Sequence, residues 1–150
     1  MISINILIDA DGCPVVDIAI RLCKKYQISC TLLCDTAHEF HREGTNTLIF
    51  DKGADSVDYA LVNRVCGGDL VITQDYGLAS MCLSRGCRVV HQDGWEYTPD
   101  NIDFLLLVRH ESRKHRNAGV RFKGPKKRTE QQNSTFADAL EHILQTSVHG

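Results

Sequence analysis

Five short apolar runs alternate with segments of helical periodicity along the chain, and this alternation constrains the possible folds most strongly. The runs have the length of buried strands, and the segments between them repeat apolar residues at helical spacing. Strands are predicted at residues 4–8, 29–33, 47–50, 70–73 and 87–90. Helices are predicted at residues 14–25, 54–65, 76–84, 98–108 and 134–146. The alternation predicts an α/β fold, in which α/β/α layers enclose a mainly parallel central sheet.

Size and composition are those of an ordinary globular domain. The 150 residues are 43% hydrophobic and 24% charged, which predicts a single domain over residues 1–150. No apolar run approaches the roughly 18 residues of a membrane-spanning helix. The start of the chain lacks the basic stretch of a secretory signal and reaches an acidic residue at Asp9. We therefore expect a cytoplasmic protein that has no membrane contact.

Cysteine usage leaves two interpretations open. The chain has seven cysteines, and an odd number in a protein that is not exported argues against a disulfide framework. Most of them lie in apolar runs, which favours small buried side chains. The alternative is a zinc site, because Cys30, Cys34, His38 and His41 have C-x3-C-x3-H-x2-H spacing. The paired short knuckles of structural zinc sites are missing, and Cys30 falls inside a predicted strand.

Positive charge is concentrated in one segment. Residues 109–128 contain nine Lys or Arg and one acid, whereas residues 1–108 contain eight basic and fifteen acidic residues. Glycine and proline within the basic segment predict a mobile loop over residues 109–132. Such a loop suits phosphate binding, with RNA as the expected partner. The candidate nucleic-acid-binding residues are Arg109, Arg113, Lys114, Arg116, Arg121, Lys123, Lys126, Lys127 and Arg128.

Acidic residues follow several of the predicted strands. Asp9 and Asp11 follow the first strand, Asp75 follows the fourth, and Asp55 and Asp58 begin the helix after the third. The carboxyl ends of parallel strands meet at one edge of the sheet, so these side chains are expected to converge there. Converging carboxylates repel one another, and oxygen ligands favour Mg²⁺ or Mn²⁺. The alternative for Asp11, Asp55 and Asp58 is a capping or turn role.

The hexapeptide from Asp9 to Pro14, D-A-D-G-C-P, resembles the D-A-D-x-C-P signature of the bacterial YaiI/YqxD family. The similarity continues through residues 53–58, 68–75, 78–79, 97–102, 124–125 and 136–140. The resemblance implies a PIN-like nuclease domain, in which Asp9, Asp75 and either Asp58 or Asp55 hold the metal. It also implies a homodimer as a possible assembly, because PIN-like domains often pair.

These observations favour a metal-dependent nuclease that acts on RNA. Asp9 and Asp75 would bind the metal, Asp58 or Asp55 would complete its ligands, and Asp11 would orient water or a second ion. One alternative is a non-catalytic nucleic-acid-binding module that uses the basic segment. A second is a phosphatase with an aspartate nucleophile, which the Asp9-x-Asp11-Gly12 element resembles. That class requires a downstream lysine and a second acidic pair, which the sequence does not place convincingly.

Overall fold

A computed structural model of the protein describes residues 4–35, 42–50, 56–117 and 127–149. Its strands are β1 (Asn5–Asp9), β2 (Ser29–Asp35), β3 (Asn46–Phe50), β4 (Leu70–Ile72), β5 (Arg88–Val90) and β6 (Glu96–Tyr97). Its helices are α1 (Val16–Lys25), α2 (Ser56–Arg64), α3 (Tyr76–Ser84), α4 (Pro99–Asn117) and α5 (Glu130–His149).

The strands form one six-stranded sheet in the order β3-β2-β1-β4-β5-β6. The first five strands along the chain pair in parallel, and β6 pairs antiparallel with β5. The predicted parallel sheet is therefore confirmed, and β6 is the strand that the sequence did not indicate. From β1 the chain builds outward to one side through β2 and β3, and then to the other through β4 and β5. This switch leaves a crevice outside the carboxyl ends of β1 and β4.

Helices cover both faces of the sheet and give three layers, as predicted. Successive residues of β1 point to opposite faces, so Ile6 and Ile8 pack with α1 and α5 whereas Leu7 packs with α2, α3 and α4. All three side chains are at most 5% exposed. A central strand buried on both faces explains why the sequence shows a continuous apolar run here rather than an alternating one.

The first turn of α3 is stabilised by the side chain of Asp75, the residue that precedes the helix. The Asp75 side chain accepts hydrogen bonds from the amide N–H groups of Gly77 and Leu78, which a helix leaves without partners inside its own first turn. Beyond Ser84 the chain turns at Gly86, whose φ of +83° suits a residue without a Cβ atom. The observed range of α3 is the predicted one.

The basic segment differs from the expectation. Helix α4 continues to Asn117 instead of ending near residue 108, and α5 begins at Glu130 instead of near residue 134. The predicted loop over 109–132 is therefore wrong for residues 109–117 and 130–132. Residues 109–117 are rich in Arg, Lys and Glu, which are strong helix formers, and contain no glycine or proline. The glycines and the proline that predicted the loop all lie further along the chain, at residues 119–125.

Within the described residues, the cysteines are not joined in disulfides. Five of them are buried, Cys13 is half-buried and Cys66 is exposed. Cys30 and Cys34 lie in β2 and contribute to the core beneath α1, which supports their interpretation as small apolar side chains. The two histidines of the alternative zinc arrangement, His38 and His41, lie outside the described residues.

Among the described helices, none has both the length and the apolar character that crossing a membrane requires.

Candidate active site

Strand β1 ends at Asp9, at the crevice between β1 and β4. Ile8 pairs with Ile72 of β4, so the next residue along each strand, Asp9 and Thr73, is brought to the same level. The Thr73 hydroxyl donates a hydrogen bond to Asp9 Oδ2 at 2.9 Å. Thr73 is only 1% exposed, so the donor of this bond is buried. The pairing of β1 with β4 thus fixes one oxygen of the Asp9 carboxyl group.

The same hydroxyl connects Asp9 to Asp75. Thr73 Oγ1 accepts a hydrogen bond from the Asp75 backbone N–H at 3.0 Å. The Asp75 carboxylate in turn accepts from Gly77 N at 2.9 Å and from Leu78 N at 3.2 Å. Asp75 therefore lies beside Asp9 as predicted, and it also caps α3. The sequence pattern predicted only a metal-binding role for Asp75 and no role for Thr73.

Substitutions at Asp75 should separate these two roles. Asp75→Ala removes the capping oxygen and should lower the free energy of unfolding by about 1 kcal/mol. Asp75→Asn keeps a capping oxygen and removes a negative charge that repels Asp9, so it should be at least as stable as the wild type. Urea denaturation of the three proteins in EDTA measures this difference. Equal losses in both variants would contradict the capping role.

Asp11 is held at the end of the neighbouring strand. Its carboxylate accepts from the Asp35 backbone N–H, with Oδ2 at 3.1 Å and Oδ1 at 3.4 Å. The bond ties the turn after β1 to the last residue of β2. Asp35 is an acidic residue at the same edge that sequence analysis missed, because the predicted second strand ended two residues earlier, at residue 33, than β2 does.

Three other carboxyl groups lie close enough to Asp9 to raise its pKa. Burial raises the pKa of Asp9 from 3.8 to about 7, and the hydrogen bond from Thr73 offsets part of this effect. The negative charges of Asp58, Asp11 and Asp75 raise the Asp9 pKa further. The predicted acids that the structure describes thus converge around Asp9. Asp55, the alternative to Asp58, lies outside the described residues.

Convergence does not amount to a closed metal cage. Within residues 4–35, 42–50, 56–117 and 127–149, no three His, Cys, Asp or Glu side chains are arranged to hold a metal ion. The group around Asp9 instead uses hydrogen bonds to backbone amides and to Thr73 to position its oxygens. The crevice therefore contains several carboxyl oxygens, which are the ligand type that hard cations prefer. One of these carboxyl groups, Asp9, has a strongly raised pKa.

Two other aspartates lie away from this site. Asp69 precedes β4 at the opposite edge of the sheet, and its carboxylate accepts from the Cys66 backbone N–H at 2.9 Å. Asp17 lies on α1 with a side chain that is 75% exposed, and Arg42 contacts it at 2.7 Å. Their contacts are those of a turn residue and a surface ion pair.

Arg128 contacts the turn between β5 and β6. Its guanidinium group donates to Asp93 Oδ1 at 2.8 Å and to the Gln92 carbonyl oxygen at 2.7 Å. It also donates to Asn133 Oδ1 at 2.6 Å, and the side chain is 18% exposed. Arg128 was predicted to bind phosphate, and this role stays a prediction. In the structure, Arg128 connects α5 to the β5–β6 turn.

The other basic candidates are only partly described. Lys127 is exposed directly before Arg128. Arg109, Arg113, Lys114 and Arg116 belong to α4 by their backbone, and Arg121, Lys123 and Lys126 lie outside the described residues.

An aromatic cluster lies next to the acids. Tyr97 is 1% exposed and donates its hydroxyl proton to the carbonyl oxygen of Thr73 at 3.3 Å. Trp95 packs against Tyr97 with ring centroids 4.6 Å apart, and His91 stacks on Trp95 at 4.4 Å. Tyr76, the residue after Asp75, contacts Tyr97 in a T-shaped arrangement at 5.9 Å. The buried Tyr97 ring is part of the core.

Comparisons with known proteins agree with the motif. The model of the uncharacterised bacterial YaiI/YqxD family matches residues 7–146. A UPF0178 protein of Exiguobacterium sibiricum is 50% identical over 93% of this chain and 96% of its own length. A UPF0178 protein of Clostridium acetobutylicum is 43% identical over 93% of this chain and 96% of its own length. One of Alkaliphilus oremlandii is 40% identical over 96% of this chain and 93% of its own length. The chain therefore belongs to the YaiI/YqxD family.

Proposed function

We propose that the protein is a metal-dependent nuclease that hydrolyses phosphodiester bonds in RNA, with Asp9 at the centre of its active site. The supporting observation is the raised pKa of Asp9, near 7, at the carboxyl end of a central strand among Asp11, Asp58 and Asp75. Ionising all four groups in a half-buried crevice is costly, because each negative charge disfavours the next. A divalent cation relieves this repulsion, and active sites are where such perturbed groups concentrate.

The residues at the crevice fit a hard cation in their chemistry. The described acids offer only oxygen ligands, which suits Mg²⁺ or Mn²⁺ better than zinc. Mg²⁺ usually keeps several water ligands and needs only one or two carboxylates, so a closed protein cage is not required. Asp9 and Asp75 would hold the cation, with Asp58, or Asp55 outside the described residues, completing the set. When bound, such an ion makes a water molecule more acidic and stabilises negative charge on a phosphodiester.

The protein's own contribution is orientation. Thr73 fixes Oδ2 of Asp9, and the start of α3 fixes Oδ1 of Asp75. Asp11, which accepts a hydrogen bond from the Asp35 amide, would orient water or a second ion at this edge. The basic residues of α4 and the segment after it would supply phosphate contacts, which makes substrate binding salt-dependent.

A cleavage assay tests the proposal directly. Mixed-sequence RNA should be cut in Mg²⁺ or Mn²⁺ and left intact in EDTA, because hydrolysis then lacks the cation that activates water. Gel analysis of end-labelled RNA measures the products. Salt-sensitive RNA binding that is the same in EDTA and in Mn²⁺, without cleavage, would instead support a non-catalytic binding module. Trapping an aspartyl-phosphate on Asp9 would support the phosphatase.

A further inference from the structure

We infer that the ring of Tyr76 is a stacking platform for an unpaired base of a single-stranded nucleic acid. The inference rests on the proposed function for the nature of the substrate, and it adds the substrate's secondary structure. The first observation is the position of Tyr76 in the chain. Tyr76 directly follows Asp75, whose backbone N–H is bonded to the same Thr73 hydroxyl that holds Asp9. A base on Tyr76 would therefore belong to a nucleotide adjacent to the acids.

The ring is fixed before any ligand binds. Tyr76 meets Tyr97 at a centroid distance of 5.9 Å and an interplanar angle of 67°, and it meets Trp95 at 6.5 Å and 59°. Tyr97 is itself buried and bonded to the Thr73 carbonyl oxygen. An aromatic ring that is already ordered loses little conformational entropy on binding, and this improves its value as a contact.

Exposure singles out Tyr76 within the aromatic cluster. Tyr97 and His91 are buried, with 1% and 9% of their surface exposed. Trp95 is half-buried, but His91 lies parallel to it at 4.4 Å and covers one face of the indole. Tyr76 is half-buried, and both of its ring contacts are tilted or edgewise rather than parallel. It is therefore the member best placed to accept a parallel base.

A stacking platform of this kind selects single strands. In a duplex the faces of a base are covered by its neighbours, so only an unpaired or displaced base can stack on a side chain. Stacking tolerates any base, because each has a π-face. The expected ligand class is therefore a single-stranded nucleic acid without strong sequence preference.

The chain contains its own fluorescent reporter. Trp95 is the single tryptophan of the sequence, and its ring centroid lies 6.5 Å from that of Tyr76. Titrations in EDTA at low salt separate binding from cleavage. The probes are an eight-residue single-stranded RNA, its DNA equivalent, an RNA of equal length with abasic sites throughout, and a blunt RNA duplex. We expect quenching of Trp95 by the single strands, and a Kd about 5- to 100-fold weaker for the abasic RNA and for the duplex.

Substitutions of Tyr76 provide a second test of the stacking site. Tyr76→Leu should weaken binding of the single-stranded RNA by the same factor, and Tyr76→Phe should restore it, because Phe keeps the ring. Tyr26→Leu is the matched control, since Tyr26 is a half-buried tyrosine at the end of α1, near the opposite edge of the sheet. Its Kd should stay within twofold of the wild-type value.

Three results would overturn the inference: equal affinity for the abasic and base-containing RNA, an unchanged Kd in Tyr76→Leu, or no quenching by any single strand. A purely structural role for Tyr76 predicts the second result if the variant folds, and the abasic probe tests the wild type without any substitution. Failure here leaves metal-dependent cleavage intact. Absence of cleavage in Mn²⁺, with stacking retained in EDTA, would remove the nuclease and leave the stacking site.

Discussion

Asp9→Asn is expected to abolish Mn²⁺ binding at the crevice and to lower RNA cleavage by more than about 100-fold. Loss of a group that only orients a metal ligand typically costs 10- to 100-fold, so loss of a central ligand should cost at least as much. Asparagine keeps the size of the side chain and an oxygen that can accept the Thr73 hydrogen bond. The substitution therefore removes the charge with little effect on packing. Calorimetric titration with Mn²⁺ and the RNA cleavage assay measure the two effects.

Asp17→Asn is the matched control for this prediction. It makes the same chemical change on an exposed side chain of α1, distant from the crevice. Its Mn²⁺ affinity and cleavage rate should equal those of the wild type. Since both variants are purified in the same way, activity that persists in Asp9→Asn would point to a contaminating nuclease or to a site elsewhere. Mn²⁺ binding that survives unchanged in Asp9→Asn would contradict a metal site at Asp9.

The metal-free protein is expected to lose up to about 4 kcal/mol of stability between pH 4 and pH 7 through Asp9 alone. The folded-state pKa of Asp9 is raised to about 7 from 3.8, so the folded protein binds this proton more tightly than the unfolded chain does. The associated stability is fully present below pH 4 and is lost as the pH rises toward 7. Each unit of pKa shift corresponds to about 1.4 kcal/mol. Urea denaturation in EDTA across this pH range measures the effect.

The same experiment on Asp9→Asn isolates the contribution of Asp9 from those of other groups. Burial lowers the pKa of His91, which acts in the opposite direction and reduces stability as the pH falls below its usual pKa. This effect is present in both proteins, so the difference between their curves belongs to Asp9. Saturating Mn²⁺ at pH 7.5 should stabilise the wild type and leave Asp9→Asn unchanged. Parallel pH curves for the two proteins would show that Asp9 has an ordinary pKa.

The sheet and the identity of its central acids were predictable from local patterns. The apolar run of β4 and the following Asp75 mark a buried strand and a helix start, because an aspartate before a helix caps its first amides. Strand β6 was not predictable in the same way. It has two residues and pairs through a turn in which His91 N–H donates to the Trp95 carbonyl oxygen, so only its hydrogen bonds identify it as a strand.

The individual hydrogen bonds between distant segments could not be predicted from the sequence. The link between Asp9 and Thr73 spans 64 residues and depends on the register of β1 against β4. The contact of Arg128 with Asp93 spans 35 residues along the chain. It gives a structural role to a basic residue that the charge pattern predicted only as a phosphate ligand. Charge density alone cannot separate a phosphate ligand from a structural ion pair, because both require the same side chain.

The direction of the hydrogen bonds through Thr73 determines where Asp9 can carry a proton. The Asp75 N–H donates to the Thr73 oxygen, and the Thr73 hydroxyl donates onward to Oδ2 of Asp9. A proton that Asp9 takes up near neutral pH is thereby directed to Oδ1, the oxygen that Thr73 does not contact. The neutral carboxyl group then has one oxygen that only accepts and one that donates, so the two sides of Asp9 differ in chemistry before any cation arrives.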